Sequence, residues 1–172
     1  MEYWKSLIFR LVFVFFPVAW IYSIMFYPTI YSASFLFDSV VMGNVVIIGS
    51  YAFRFIEACI APYTYYFILL LVLFCKDLTW RKRVRLVIFG WLIILVVNVV
   101  RIIVLIYIAL NYGMGAFDAV HLIWWKFMSG VFVALVWIFL VYKFKVRSVP
   151  VYDDVKYLVK KIKGRIFYES QN

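Results

Sequence analysis

Charged and metal-binding residues are scarce in this sequence of 172 amino acids. Lys, Arg, Asp and Glu together make up 15% of the chain, which has one histidine and two cysteines. One His and two Cys are too few for a structural zinc site, and no glycine-rich phosphate-binding loop occurs. Sixteen helical residues from Cys59 to Cys75 would span about 24 Å, which is too far for a disulfide. These absences argue against a metal centre, a bound cofactor and a disulfide oxidoreductase.

Apolar residues dominate what is present. They make up 68% of the chain, whose mean hydropathy is +1.01, whereas an ordinary globular chain is about half apolar. A chain of this length has too small an interior to hide that much apolar surface from water. Lipid is therefore its expected solvent.

The net charge of +10 comes from basic residues that flank apolar runs. Of the 18 Lys and Arg residues, 15 lie at Lys5 and Arg10, in residues 76–85, or from Lys143 onward. This placement is typical of the cytoplasmic ends of membrane helices, and no nucleic-acid-binding motif occurs among these residues. We expect a multi-pass protein of the cell membrane that contacts lipids and no nucleic acid, with both termini and the 76–85 loop in the cytoplasm.

The apolar runs predict an all-α membrane protein with four transmembrane helices, over residues 6–26, 62–75, 86–110 and 118–142. Residues 28–42 are predicted to form a short amphipathic helix on the outer surface. The transmembrane domain would cover residues 1–145, with an outer insert at about 28–58. The basic tail, residues 146–172, would form an amphipathic cytoplasmic helix on the inner leaflet, or else a solvated tail.

A small β-hairpin is expected just before Cys59. In residues 45–57, Val and Ile precede Gly49-Ser50, and aromatic residues then alternate with small or charged ones. This pattern is typical of two strands joined by a turn that begins with glycine. A continuous buried helix is the alternative, and Arg54 and Glu57 make it less favourable in lipid.

Three basic residues escape the cytoplasmic clusters: Arg54, Arg101 and Lys126. Arg101 interrupts the apolar run 99–105, where an arginine costs several kcal/mol unless it is paired or reaches water, so it is a functional candidate. The alternative is an arginine that extends to the outer interface. Arg54 and Lys126 are expected to orient the substrate or to lie at the interface rather than to catalyse.

Helical spacing brings Arg101 and a cysteine to one height. Arg101 lies sixteen residues after Arg85, and Cys59 lies seventeen before Lys76, so both would be about 24–26 Å from the basic layer. His121, the only histidine, lies twenty-two residues before Lys143, which is somewhat higher by the same measure, and helix tilt can absorb the difference. One thiol, one guanidinium and one imidazole are therefore expected near the outer face of the membrane.

These three side chains suit nucleophilic attack on a carbonyl group. A thiol must lose its proton before it attacks, and a nearby positive charge favours the thiolate. A histidine can accept that proton and later donate one to a leaving amine, and an arginine can bind the developing oxyanion or orient the substrate. Asp118, expected at the start of the last helix, would cap that helix or orient His121.

Two motifs and this histidine also carry a resemblance. Glu57-Ala58-Cys59-Ile60-Ala61, Asn98-Val99-Val100-Arg101-Ile102 and His121, in this order over about residues 30–140, resemble the exosortase/archaeosortase family of membrane-embedded cysteine transpeptidases. The resemblance implies a compact member with Cys59, Arg101 and His121 as catalytic residues and Asn98, Glu57 and Asp118 in supporting roles. The family commonly has a small polar residue and Gly after its Cys, where this chain has Ile60 and Ala61.

The resemblance also implies a substrate and a place for the reaction. The substrate would be a secreted protein whose C-terminal signal combines a recognition motif, a membrane helix and a basic end. The enzyme would cleave this signal on the outer face of the membrane, hold the protein as a thioester on Cys59 and transfer it to a membrane acceptor, without a cofactor. The alternative is a non-catalytic membrane subunit or scaffold in which Arg101 pairs with Glu57 or Asp118.

Overall fold

The computed structural model describes residues 7–8, 10–12, 18–75, 78–124, 129–146, 150, 155, 157 and 159. Helices predominate in this part of the chain, and one small sheet interrupts them. The elements are α1 (Val18–Ser34), β1 (Ser39–Met42), β2 (Val45–Ile48), β3 (Tyr51–Arg54), α2 (Glu57–Ile60), α3 (Pro62–Leu73), α4 (Trp80–Tyr112), α5 (Met114–Ile123) and α6 (Ser129–Phe144). The predicted basic tail lies almost wholly outside the described residues.

The sheet confirms the predicted hairpin and adds a strand to it. Strands β2 and β3 pair antiparallel around Gly49-Ser50, and β1 pairs antiparallel with β2 around Gly43-Asn44. Both turns have two residues and begin with a glycine at positive φ, 60° at Gly43 and 58° at Gly49. Glycine adopts this conformation without strain, and such turns match the twist of paired strands.

The short outer helix predicted over residues 28–42 is wrong. Instead, α1 continues through Pro28 to Ser34, and residues 39–42 form β1. Proline removes one backbone donor from a helix interior, but one turn there is supported by the Thr29 hydroxyl, which donates a hydrogen bond of 2.7 Å to the Met25 carbonyl oxygen. The β-branched pair in Ser39-Val40-Val41-Met42, followed by a turn sequence, favours a strand.

The four-span membrane fold is also wrong. Among the described helices only α4, with 33 residues, is long and apolar enough to cross a membrane. Helix α3 has 12 residues, about 18 Å against a hydrocarbon layer of about 30 Å. The predicted last helix is divided between α5 and α6, and residues 125–128 between them lie outside the described part. A multi-pass topology is therefore not supported.

A buried arginine holds the C-terminal end of α3. Arg83 lies in the first turn of α4, and its guanidinium donates to the carbonyl oxygens of Val72 at 2.6 Å, Leu73 at 3.0 Å, Leu78 at 3.2 Å and also Cys75. The last carbonyls of a helix have no partner within it, and a cation there also opposes the negative end of the helix dipole. Residues 80–85, expected in a loop, are thus the first turns of α4.

Helices α3, α4 and α6 approach one another closely at Gly90. A Cβ atom at this position would lie 2.9 Å from the Ile68 Cγ2 of α3 and 3.0 Å from the Leu140 Cδ1 of α6. Such distances are shorter than van der Waals contact. The absence of a side chain at Gly90 therefore allows the three helices to pack closely at this point.

Candidate active site

Cys59 lies in α2, a single helical turn between the sheet and α3. Its backbone N–H donates to the Ile56 carbonyl oxygen at 2.9 Å, and the N–H of Ala61 donates to Glu57 at 2.9 Å. Ala61 closes the turn in the left-handed conformation, with φ 55° and ψ 49°, and Pro62 begins α3 with a preset φ. This reversal leaves Cys59 half-buried with a free thiol.

Two polar side chains of α4 donate hydrogen bonds to the backbone of α2, the cysteine turn. Asn98 donates through Nδ2 to the Cys59 carbonyl oxygen at 2.8 Å, and Arg101 donates through Nη2 to the Ala58 carbonyl oxygen at 3.3 Å. Both side chains are buried. Their spacing of three residues puts them on one face of α4, so the motif that contains them has a definite partner, the backbone of the motif that contains Cys59.

His121 reaches the same region from α5. The chain turns at Gly113, where φ is 82°, and α5 then packs against α4. The His121 ring stacks on Phe117, with centroids 5.5 Å apart and an angle of 20° between the planes. Burial lowers the pKa of His121 below its ordinary value, the Arg101 guanidinium lowers it further, and Asp118 opposes the shift. A pKa below the ordinary value favours the neutral imidazole at pH 7.

A cavity of about 180 Å³ brings the predicted residues together. Cys59, Arg101, His121 and Arg54 all line it, and most of the remaining wall is apolar. Four elements, β3, α2, α4 and α5, contribute to this lining. A cysteine, an arginine and the histidine therefore line one space large enough for a substrate side chain or a peptide group.

Unpartnered polar atoms concentrate at this site. Within the described residues, three buried side-chain polar atoms lack a hydrogen-bond partner: the Tyr65 hydroxyl, Arg101 Nε and His121 Nδ1. Buried polar groups are nearly always paired, so each exception calls for an explanation. Two of these three atoms belong to residues that line the cavity, Arg101 and His121. Sequence reasoning missed Tyr65, because nothing in the sequence distinguishes it from the other 13 of the chain's 14 tyrosines.

The remaining predicted residues have less central positions. Glu57 is exposed in the first turn of α2, and Asp118 is exposed. The capping role of Asp118 is wrong, because α5 begins at Met114 and the residue that precedes it is Gly113. Lys126 lies outside the described residues.

Arg101 is not part of the ion pair that a scaffold would need. In the described part of the chain no carboxylate, including Glu57 and Asp118, forms a salt bridge with it. A buried guanidinium without a counter-ion is costly to maintain. Its Nε–H has no acceptor among the described residues.

No family model, curated protein or solved structure matches this chain.

Proposed function

We propose that this chain is a membrane-embedded cysteine peptidase or transpeptidase of the exosortase/archaeosortase type. The observation that carries the proposal is the cavity lined by Cys59, Arg101 and His121, in which the guanidinium and the imidazole each keep an unpartnered nitrogen. A half-buried thiol, a neutral base and an unpaired buried cation in one cavity are the parts that thiol-based acyl transfer needs.

The proposed reaction has two acyl transfers. Neutral His121 takes the thiol proton of Cys59, and the sulfur attacks the scissile carbonyl carbon, so that a C–S bond forms and the oxygen becomes an oxyanion. Arg101 stabilises that oxyanion with its free N–H. The C–N bond then breaks, the imidazolium protonates the leaving amine, and a thioester remains. An acceptor amine, or water, attacks the thioester and releases the thiolate, which regains its proton.

The proposed location follows from α4. Its side chains at residues 88, 92, 96, 100 and 104, spaced one turn apart, are large, apolar and exposed, which is the surface expected of a helix in lipid. Its first turns carry Arg81, Lys82, Arg83 and Arg85, and basic residues favour the cytoplasmic side. Arg101 is about 24 Å further along the helix, so we place the site near the outer face of the membrane and the start of α4 in the cytoplasm.

The proposed substrate is a secreted protein with a C-terminal sorting signal: a recognition motif, an apolar helix and a basic end. Arg54 lines the same cavity from β3 and is exposed. It can therefore orient the recognition motif while the scissile bond lies against Cys59. In the proposal neither Arg54 nor Lys126 takes part in the chemistry.

The proposal is tested by trapping the acyl-enzyme. The protein is co-expressed with a secreted reporter that ends in such a signal, and purified protein is analysed by intact-mass and peptide mass spectrometry. We expect a hydroxylamine-sensitive adduct on Cys59. Cys59→Ala should lose both adduct and processing, whereas Cys75→Ala, whose thiol is outside the cavity, should keep both. An adduct on Cys75, or processing by Cys59→Ala, would refute the catalytic role.

Variants of the other two residues test their separate roles. His121→Gln should slow processing about a hundredfold or more, because a general acid and base is lost. Arg101→Lys should also fail, since an ammonium lacks the planar fork of donors. Lys126→Gln should keep more than about a tenth of the rate, a loss below ~1.4 kcal/mol.

A non-catalytic scaffold is the second candidate. The observation in its favour is that Asn98 and Arg101 both donate to backbone carbonyls of the cysteine turn, which is a structural use of two buried polar groups. A membrane-impermeant, thiol-reactive probe separates the two candidates. If the protein is an enzyme, Cys59 should react with the probe more slowly in the Arg101→Gln variant than in the parent protein, because the variant lacks the cation that favours the thiolate. A scaffold requires no such difference.

A further inference from the structure

An open groove of about 440 Å³ lies between α4 and α6, and it shares no lining residue with the candidate active site. Its walls are apolar and aromatic, with one charged residue. Phe89 and Ile93 of α4 and Phe132, Leu135 and Phe139 of α6 form most of the lining, together with Lys143. Leu135 and Phe139 are exposed, so the groove is accessible from outside the protein.

Lys143 lies over the aromatic rings of the groove. Its Nζ is 4.8 Å from the centroid of the Phe89 ring and 5.7 Å from that of Phe139. Within the part of the chain that the structure describes, the ammonium has no carboxylate partner and no hydrogen-bond acceptor. Contact with ring faces stabilises the cation but leaves its N–H donors unused.

The end of the groove at Lys143 is positively charged. Phe144 contacts Phe89 with ring centroids 5.8 Å apart, which brings the end of α6 beside the third turn of α4. Arg85 lies one turn before Phe89 on α4 and therefore on the same face, and Lys145 follows α6. Of the described carboxylates, Asp38 precedes β1, Glu57 belongs to α2 and Asp118 to α5, and none of them lies on α4 or α6. An anion at Lys143 would thus meet several cations.

The dimensions of the groove suit one acyl chain. Phe132 and Lys143 are eleven residues apart on α6, which is about 16 Å along the helix. The hydrocarbon of one leaflet is half of about 30 Å. A chain whose headgroup is at Lys143 would therefore reach from the membrane surface to the bilayer centre along this groove.

We propose that this groove binds an anionic phospholipid, with one acyl chain between α4 and α6 and the phosphate at Lys143. The charge at the groove's end decides between a lipid and a partner helix. A membrane helix with a basic cytoplasmic end, as in the substrate proposed above, would place its cations against Arg85 and Lys143 and be repelled. The lipid site does not depend on the catalytic role of Cys59.

The site is tested by native mass spectrometry of the full chain in a non-ionic detergent. Phosphatidylglycerol and phosphatidylcholine with identical acyl chains are titrated separately. We expect tighter binding of phosphatidylglycerol, and Lys143→Gln should weaken that binding about fivefold, the effect of one basic residue at a membrane surface. Arg81→Gln, which removes a charge from the same end of α4 outside the groove, should have no such effect. Equal losses in both variants would overturn the proposal.

A second pair of variants tests the acyl-chain contact. Leu135→Trp fills the groove and should weaken the binding of both lipids, whereas Ile138→Trp adds the same bulk to α6 outside the groove lining and should weaken neither. Unchanged binding by Leu135→Trp would overturn the proposal.

Two competition experiments test the occupant. Competition by glycerol phosphate as strong as that by the lipid would assign the groove's end to a simple anion. Displacement of the lipid by an apolar helical peptide with a basic end would assign the groove to a partner helix. Either result would replace the proposal.

Discussion

At the scale of single residues, His121 offers the most direct test, because it is the only histidine and gives one imidazole NMR signal. Burial and Arg101 lower its pKa, so the titration midpoint should lie below the ordinary value of 6.5. Asp118 acts in the opposite direction, and Asp118→Asn should move the midpoint lower still. Arg101→Gln should move it higher. A higher midpoint in Asp118→Asn would contradict the electrostatic account of the site.

The same pKa shift determines how His121 affects stability. The unfolded chain binds a proton as the pH falls through about 6.5, while the folded chain resists protonation until the pH is lower. Stability should therefore be lost as the pH falls below that value and be unaffected by His121 above it. For the same reason, activity that needs the neutral imidazole should persist below the pH at which a free histidine is protonated.

Ala61 carries a measurable backbone strain. A left-handed conformation costs an L-residue about 1–2 kcal/mol, and glycine is free of this cost. Ala61→Gly should therefore raise the free energy of unfolding by about 1 kcal/mol, as measured by denaturation in detergent. Ala119→Gly, at an exposed position inside α5, should lower it by about the same amount. A destabilised Ala61→Gly variant would show that the methyl group contributes more by packing than it costs in strain.

At the scale of elements, Arg83 determines where α3 ends. Its guanidinium binds four carbonyl oxygens between Val72 and Leu78, and a shorter amide cannot reach them all. Because a buried acceptor without its partner costs about 1–3 kcal/mol, Arg83→Gln should destabilise the fold by about 3 kcal/mol or more. Arg81→Gln, on the exposed side of the same turn, should stay within about 0.5 kcal/mol. Thermal unfolding followed by circular dichroism measures both, and similar effects would refute the capping role.

At the scale of the whole molecule, α4 connects its own basic first turns, at one end, with the candidate active site further along the helix. If α4 is the membrane span, Ser50 in the sheet and Arg81 at the start of α4 are on opposite sides. In a chain whose two cysteines are replaced by alanine, Ser50→Cys should react with an impermeant maleimide in intact cells. Arg81→Cys should react only after permeabilisation. Labelling of both in intact cells, or of neither before permeabilisation, would exclude this orientation of α4 and place the site elsewhere.

Local sequence signals were sufficient to predict part of the structure and the candidate site residues. The hairpin around Gly49-Ser50 was predictable because a two-residue turn that begins with glycine acts over a few neighbouring residues. Cys59, Arg101 and His121 were predictable as candidates because each is rare or costly in so apolar a chain. The structure places them around one cavity, and their catalytic roles stay predictions.

The sequence by itself determined the apolar character of the chain, the hairpin and the identity of the candidate residues. Only the tertiary structure decided the lengths of the helices and the partners of the site. Helix α3 ends at Leu73 near a guanidinium ten residues further along the chain, and Cys59 is held by Asn98, 39 residues away. Hydropathy and turn signals indicate the conformation that a segment favours in isolation. Where a helix stops, and which buried atoms remain unpaired, depends on the contacts that distant residues supply.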